Sequence, residues 1–265
     1  MSKRFTYWNS FSSAPAVTPL FDAYGGASVG YSLRKLATST VYVVRVRRSS
    51  DNLELDFSDT DITDGTLTAW TGANDGLVSI WYDQSGNDNN LTQTTTTLQP
   101  KLVSVGVVIT DGGKPAIDWG STGKYMDMDN SLGNNRSIFY VNKSTTLARN
   151  MSFLLGDSSK YDYHPGHSND GYLISSTYAA AAVKNGTNYI NSILTNFSAT
   201  PRPFTQSLLT LIHAASASVS NVSKDRTYGF RSWQGTIQEL VIYPTDETVN
   251  RIGIEDNINA EYTIY

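Results

Sequence analysis

The chain contains no cysteine in its 265 residues, which excludes disulfide staples, thiolate metal sites and a cysteine nucleophile. Histidine is nearly as scarce, at three residues. Basic excess is missing too: 20 Lys and Arg against 24 Asp and Glu give a formal charge of −4 and a pI near 5.3. That balance provides no field to attract nucleic acid or an anionic membrane, and neither is expected as a partner. No stretch reaches the ~18 consecutive apolar residues of a membrane span, so no membrane insertion is expected. Lys3 and Arg4 are not followed by an apolar run of leader length, and the expectation is synthesis in a cytoplasm with release by lysis or a non-standard route. A Gly-rich phosphate loop, a G-x-S-x-G elbow and an HExxH helix are also absent, so the common phosphate-loop, serine-hydrolase and zinc-hydrolase readings have no support. No cofactor is expected.

What the chain has instead is 16 Tyr, nine Phe and five Trp, much Thr, Ser, Asn and Gly, and only 17% charged residues. This mixture favours strands and turns over helices, at a length that one large β domain can fill. Residues 1–18, with FSSAPAVTPL, have no period and form an expected N-terminal arm that anchors the protein to partners; 19–265 form the domain. Val29, Leu33 and Leu36 at i, i+4 and i+7 predict a short helix over 28–36 capped by Ser28. TVYVVRVRR at 40–48 alternates and predicts a strand, with Arg45, Arg47 and Arg48 paired locally to Asp51, Glu54 and Asp56. Further strands are predicted over 77–82, 101–110, 116–119, 137–142, 151–155, 171–175, 180–183, 188–193, 207–216, 227–230 and 236–243. Asn185-Gly186 signals a hairpin. Thr245 opens a last helix, with Asp246 and Glu247 in its first turn and Ile254, Ile258 and Tyr262 on its inner face. The expected fold is all-β: a jelly-roll β-sandwich of two antiparallel sheets with a short N-terminal and a C-terminal helix.

The stretch IWYDQSGN, Ile80 to Asn87, concentrates aromatic and polar groups around Asp83. Glycoside hydrolysis usually needs two carboxyls, and Asp83 shows no partner here. An Asp in a turn accepts backbone N–H groups, so Trp81, Asp83, Gln84, Gly86 and Asn87 are expected to define a corner of the fold. Asp83, Ser85 and Asn87 alternate like calcium ligands, but Asp88 stands where such a loop needs Gly and Thr94 where it needs Glu, so no metal is expected. His164 and His167 are the close histidine pair, separated by a Pro165-Gly166 turn that lacks a zinc helix's geometry. With Tyr161, Tyr163 and Trp233 they form the candidate carbohydrate-binding surface, because aromatic faces place apolar area beside polar donors.

Tyr31-Ser32-Leu33-Arg34-Lys35-Leu36, then Val44 to Asn52 (VRVRRSSDN), then Trp81-Tyr82-Asp83-Gln84-Ser85-Gly86-Asn87 resemble, in order and spacing, the catalytic domain of glycoside hydrolase family 54 α-L-arabinofuranosidases. That resemblance implies a concanavalin-like β-sandwich. The same motifs, with Gly113-Lys114-Pro115-Ala116-Ile117 and Gly235 to Tyr243 (GTIQELVIY), also resemble laminin-G-like modules of tailed-bacteriophage structural proteins. In the enzymes the nucleophilic Glu follows two adjacent cysteines, and the acid/base Asp lies in a Gly- and Asn-rich loop before a strand reading like QGTFYEG. The corresponding stretches here are 153–159, with a Ser near the Glu position, and 228–233, where Asp225 is the nearest carboxylate. The catalytic pair therefore reads as lost.

The expected function is a non-enzymatic virion structural protein of a tailed bacteriophage. It would sit in the particle as an oligomer, contact other virion proteins through the N-terminal arm, and display a lectin-like domain for cell-surface or environmental glycans. The alternatives are an arabinofuranosidase-like glycoside hydrolase with a displaced carboxylate pair, Asp157 with Asp225, and a free carbohydrate-binding module.

Overall fold

In the computed structural model, residues 17–120, 123–147, 154–158, 160–166 and 171–265 are described. Strand pairing is antiparallel throughout, and it closes on itself. From Gly235–Tyr243 it passes to Ile117–Asp118, Lys101–Ser104, Gly76–Trp81, Leu91–Thr92 and Met126–Ser144, which pairs back to Gly235–Tyr243. The expected all-β, sandwich-like architecture is present, but its layers are joined into this ring of six strands rather than standing as two separate sheets.

Alternation explains the layering. In the Met126–Ser144 strand, Ile138 and Tyr140 face the interior of the ring with Trp81, Leu102 and Leu240, while Phe139 and Val141 face outward. The outward set packs with Val241, Tyr243 and Leu208 against Ile254, Ile258 and Tyr262 of the Arg251–Tyr262 helix. A period of two on the strands meets a period of 3.6 on the helix, so one sheet serves two cores.

The helix lies where its apolar spacing placed it, although it starts at Arg251 and not at Thr245; Thr245 to Asn250 is irregular, with Asp246 Oδ1 accepting Thr248 N at 3.0 Å. The predicted 28–36 helix is instead the buried strand Val29–Ser32, paired with Ile242 to Glu239. Gly30 weakens a helix there, and Val29 and Tyr31 reach the main core from an extended backbone. The predicted 180–183 strand is the helical turn Ala181–Lys184, as an alanine run prefers. Residues 171–175 keep one bridge, Tyr172 with Pro201, and 227–230 form a turn. Two unpredicted helices, Asp59–Thr63 and Thr66–Thr71, follow Phe57; the first starts at a capping box of Ser58 and Asp61.

Of the expected arm, residues 1–16 lie outside the described residues, as does most of the 151–155 strand. Two long strands, Met126–Ser144 and Ser207–Val222, extend well past the predicted segments, and register shifts bend their mutual pairing between Asp127 and Ser137. The end of Ser207–Val222 then takes the short strand Leu155–Gly156 on its other side.

Candidate functional site

The IWYDQSGN stretch forms a corner whose carboxylate is fully engaged. Asp83 Oδ1 accepts Gly30 N at 2.8 Å and Ser85 N at 2.9 Å, and Oδ2 accepts Ser85 Oγ at 2.8 Å and Asn89 N at 3.2 Å. Gln84 Oε1 accepts Leu36 N, and its Nε2 donates to the carbonyls of Ser32 and Arg34. Asn87 Nδ2 donates to the carbonyls of Ala27 and Ser28, Gly86 takes a φ of +90°, and Trp81 is buried against Tyr31. These contacts tie the loop to the Val29–Ser32 strand. Of the arginines, Arg45 pairs with Asp56 and Arg48 with Asp51, whereas Arg47 donates to Gln99 Oε1, Asn52 Oδ1 and the Thr96 carbonyl.

The candidate sugar-binding surface is not assembled. Trp233 is fully buried, Tyr163 and His164 are nearly so, and Tyr161 alone of the four is exposed; His167 lies outside the described residues. Trp233 and Tyr163 do meet, but with Leu154, Leu155, Ile174 and Phe197 around an apolar cavity of about 30 Å³, room for a water molecule or so and not for a sugar. Trp233 and Tyr163 are here core residues.

A different group gathers at the same edge. Leu155 pairs with Val222 and Gly156 with Asn221, and Gly156 packs against the Lys224 carbonyl, so the segment before Asp157 touches the loop before Asp225. Further hydrogen bonds tie the segment after Asp157 to the Ser207–Val222 strand: Ser158 N donates to Ser220 Oγ at 2.9 Å, Lys160 Nζ to Ser218 Oγ at 2.7 Å, and Ser218 N to Asp162 Oδ2 at 2.8 Å. Asp157 is buried and accepts Lys160 N at 3.1 Å.

Asp225 is buried at 2% exposure and faces two guanidinium groups. Arg226 Nε lies 2.9 Å from Oδ1, Arg226 Nη2 3.1 Å from Oδ2, and Arg231 Nη1 2.7 Å from Oδ2. Burial works to raise this carboxyl's pKa, but the hydrogen bonds from Arg226 and Arg231 outweigh it and hold the group below its ordinary range. The arginines in turn stand over exposed rings: Arg226 lies 4.0 Å from the Tyr161 ring centre and 5.0 Å from that of Tyr228, and Arg231 4.9 Å from Tyr228 and 5.7 Å from Phe230. Arg226 Nη1 also donates to Tyr161 Oη at 2.5 Å. Two carboxylates, two guanidiniums and three exposed aromatic rings thus share one edge. The sequence pattern predicts a strand over 227–230 and does not gather Arg226, Tyr228, Phe230 and Arg231 into one group; their clustering around Gly229 is the signal that would.

No protein-family model and no curated protein matches the chain. Among solved structures, it is similar to a family 54 α-L-arabinofuranosidase variant soaked with 4-nitrophenyl α-L-arabinofuranoside, at a TM-score of 0.57 and 16% identity. A family 54 enzyme soaked with a cyclic sulfate inhibitor matches at 0.54 and 15%, and an arabinofuranosidase complexed with arabinofuranosyl-α-1,2-xylobiose at 0.52 and 16%. Each match covers 91% of this chain, and the chain spans 64% of the length of those structures. The likeness shows a glycoside-hydrolase-like β fold. It also corrects the expectation of a non-enzymatic virion structural protein: the fold is shared with carbohydrate-cleaving enzymes, and nothing found connects it to a phage particle.

Proposed function

We propose that the protein is a glycoside hydrolase acting on α-L-arabinofuranosides, with Asp157 and Asp225 as its carboxylate pair. The observation that carries this reading is the close packing of Gly156 on the Lys224 carbonyl, the residues just before Asp157 and Asp225, on the edge that also carries the exposed Tyr161, Tyr228 and Phe230 rings. The likeness to arabinofuranosidases supports the substrate class, and the long bent strands support a concanavalin-like jelly roll as the finer fold.

Glycosidic cleavage needs one carboxylic acid to protonate the departing oxygen and one carboxylate to attack the anomeric carbon or activate water. Asp225, held ionised by Arg226 and Arg231, serves as the carboxylate. Asp157, buried and accepting Lys160 N, takes the other role, that of proton donor. The exposed rings supply stacking area for sugar faces. The test is hydrolysis of 4-nitrophenyl α-L-arabinofuranoside. Turnover is expected from the native chain, with a loss of about 10²-fold or more in Asp157→Asn and in Asp225→Asn; a native protein that releases no nitrophenol above the uncatalysed rate overturns the reading.

A further inference from the structure

An open groove of about 360 Å³, sharing no residue with the Asp157 and Asp225 edge, lies between Ser39–Tyr42 and the 82–90 loop. Its size is within the range of small-molecule sites. One lip is Val41 and Tyr42, 65% and 49% exposed, an amount of apolar surface that a strand-flanking turn does not need for its own packing. Asp83, Gln84, Asp88 and Asn90 line the opposite side.

The walls are fixed. Tyr82 Oη donates to Asp56 Oδ1 at 2.7 Å, Tyr82 N to the Val43 carbonyl at 3.0 Å, and Asp83 N to Asn90 Oδ1 at 3.0 Å. Against these walls stand polar groups that make no hydrogen bond among the described residues: the Ser39 and Thr40 hydroxyls, the Tyr42 phenol, the Asp88 carboxylate and Asn90 Nδ2. Asp88 holds a left-handed φ of +55°, a conformation uncommon for a residue with a β-carbon and enriched at ligand-contacting turns.

The chemistry of the lining selects the ligand. No Lys or Arg borders the groove while Asp83 and Asp88 do, so phosphates, sulfates and uronates are repelled. A metal ion finds too few ligands, since the acceptor sites of Asp83 are filled by Gly30 N, Ser85 N, Ser85 Oγ and Asn89 N. What remains is an exposed aromatic ring beside several uncommitted donors and acceptors, the complement of a neutral polyhydroxylated ring. We propose that this groove is a second, non-catalytic carbohydrate site that takes a neutral oligosaccharide.

The experiment is calorimetric titration of the native chain with xylotetraose, cellotetraose, α-1,5-arabinotetraose and maltotetraose, with tetragalacturonate as the anionic counterpart. At least one neutral sugar is expected to bind, at least tenfold more weakly to Tyr42→Ala and with near-native affinity to Tyr42→Phe, while tetragalacturonate does not bind. Asp157→Asn is expected to leave that affinity unchanged, and Tyr42→Ala to leave aryl arabinofuranoside turnover unchanged, so this site and the proposed active site fail separately. No neutral sugar bound, binding indifferent to Tyr42→Ala, or preference for the uronate overturns the proposal. Because Tyr42 is half exposed, the alanine variant is expected to fold, checked by an unshifted melting temperature.

Discussion

Gly156 packs directly against the backbone of Lys224: a β-carbon on Gly156 would fall 1.8 Å from the Lys224 carbonyl oxygen and 2.6 Å from Asn221 Oδ1. The requirement is one of space, not of backbone angle. Gly156 precedes Asp157 and Lys224 precedes Asp225, so this contact sets how closely the two acid-bearing segments approach. Gly156→Ala is expected to push the segments apart, costing about 1–3 kcal/mol of stability and lowering turnover more than the stability loss accounts for. Thermal melts and single-turnover rates on aryl arabinofuranoside check it. A variant that keeps native turnover would show that the approach does not matter to catalysis.

Asp225 connects the site to pH. Its folded pKa is depressed, so its contribution to stability is present above the unfolded value near 3.9 and is lost as pH falls through the lower folded value. In Arg231→Met one guanidinium is removed, the folded pKa rises, and the acid limb of the pH–rate profile is expected to move to higher pH while Arg226 keeps part of the effect. An unmoved limb with unchanged turnover would remove Asp225 from the proposed pair.

His213 carries the opposite sign of charge to the same logic. It is buried, with its Nδ1 3.1 Å from the Asn135 carbonyl, and burial, aided by the charge of Arg136, pushes its pKa down to about 4. The imidazole is therefore neutral in the fold and protonates first in the unfolded chain, so stability falls as pH drops from about 6.5 toward 4. Between pH 7 and pH 5 the loss is on the order of 2 kcal/mol. Urea midpoints at the two pH values measure it, and His213→Gln is expected to flatten the difference. A native protein equally stable at both would sink the assignment.

Asp83 illustrates a residue with the look of an active-site acid and the contacts of a brace. Asp83→Asn replaces an acceptor oxygen with an NH₂ group that faces donors, leaving at least one of Gly30 N, Ser85 N, Ser85 Oγ or Asn89 N unpaired. A cost of about 1–3 kcal/mol in denaturant unfolding is expected, with aryl arabinofuranoside turnover unchanged below the melting temperature. Lost turnover in a stably folded variant would return Asp83 to the catalytic candidates.

Legibility in the sequence followed the length over which a pattern repeats. Ile254, Ile258 and Tyr262 sustain a helical period over more than two turns, and all three are buried on one face. The alternation of Val44 and Val46 with arginines likewise became the strand Val44–Arg48. Val29, Leu33 and Leu36 fit a helix by spacing alone, but the partner strand Ile242 to Glu239 decides for extended backbone, and that partner lies about 200 residues away in the chain. The site was harder still. Asp157 and Asp225 are joined by a two-residue strand, too short for any period, and Trp233 and Tyr163 differ from Tyr228 and Phe230 only in burial, which composition does not encode.

The motif Tyr31 to Leu36 contains its own test of structural against chemical roles. Arg34 donates through Nε to Glu239 Oε2 at 2.7 Å and through Nη2 to Oε1 at 2.9 Å, and its Nη1 reaches Asn257 Oδ1 at 3.0 Å on the Arg251–Tyr262 helix. Glu239 is fully buried and also accepts Ser32 Oγ at 2.8 Å and Tyr262 Oη at 3.2 Å, so the pair ties an inner strand to the helix. Arg34→Met leaves that carboxylate buried without its cation, and a cost of about 3–5 kcal/mol is expected. Replacing both, Arg34→Met with Glu239→Leu, removes the stranded charge as well as the attraction, and the double variant is expected to be more stable than Arg34→Met alone. Urea unfolding of the four proteins in this cycle gives the coupling directly. Independent, additive costs would mean that the two side chains hold the helix separately and not as an ion pair.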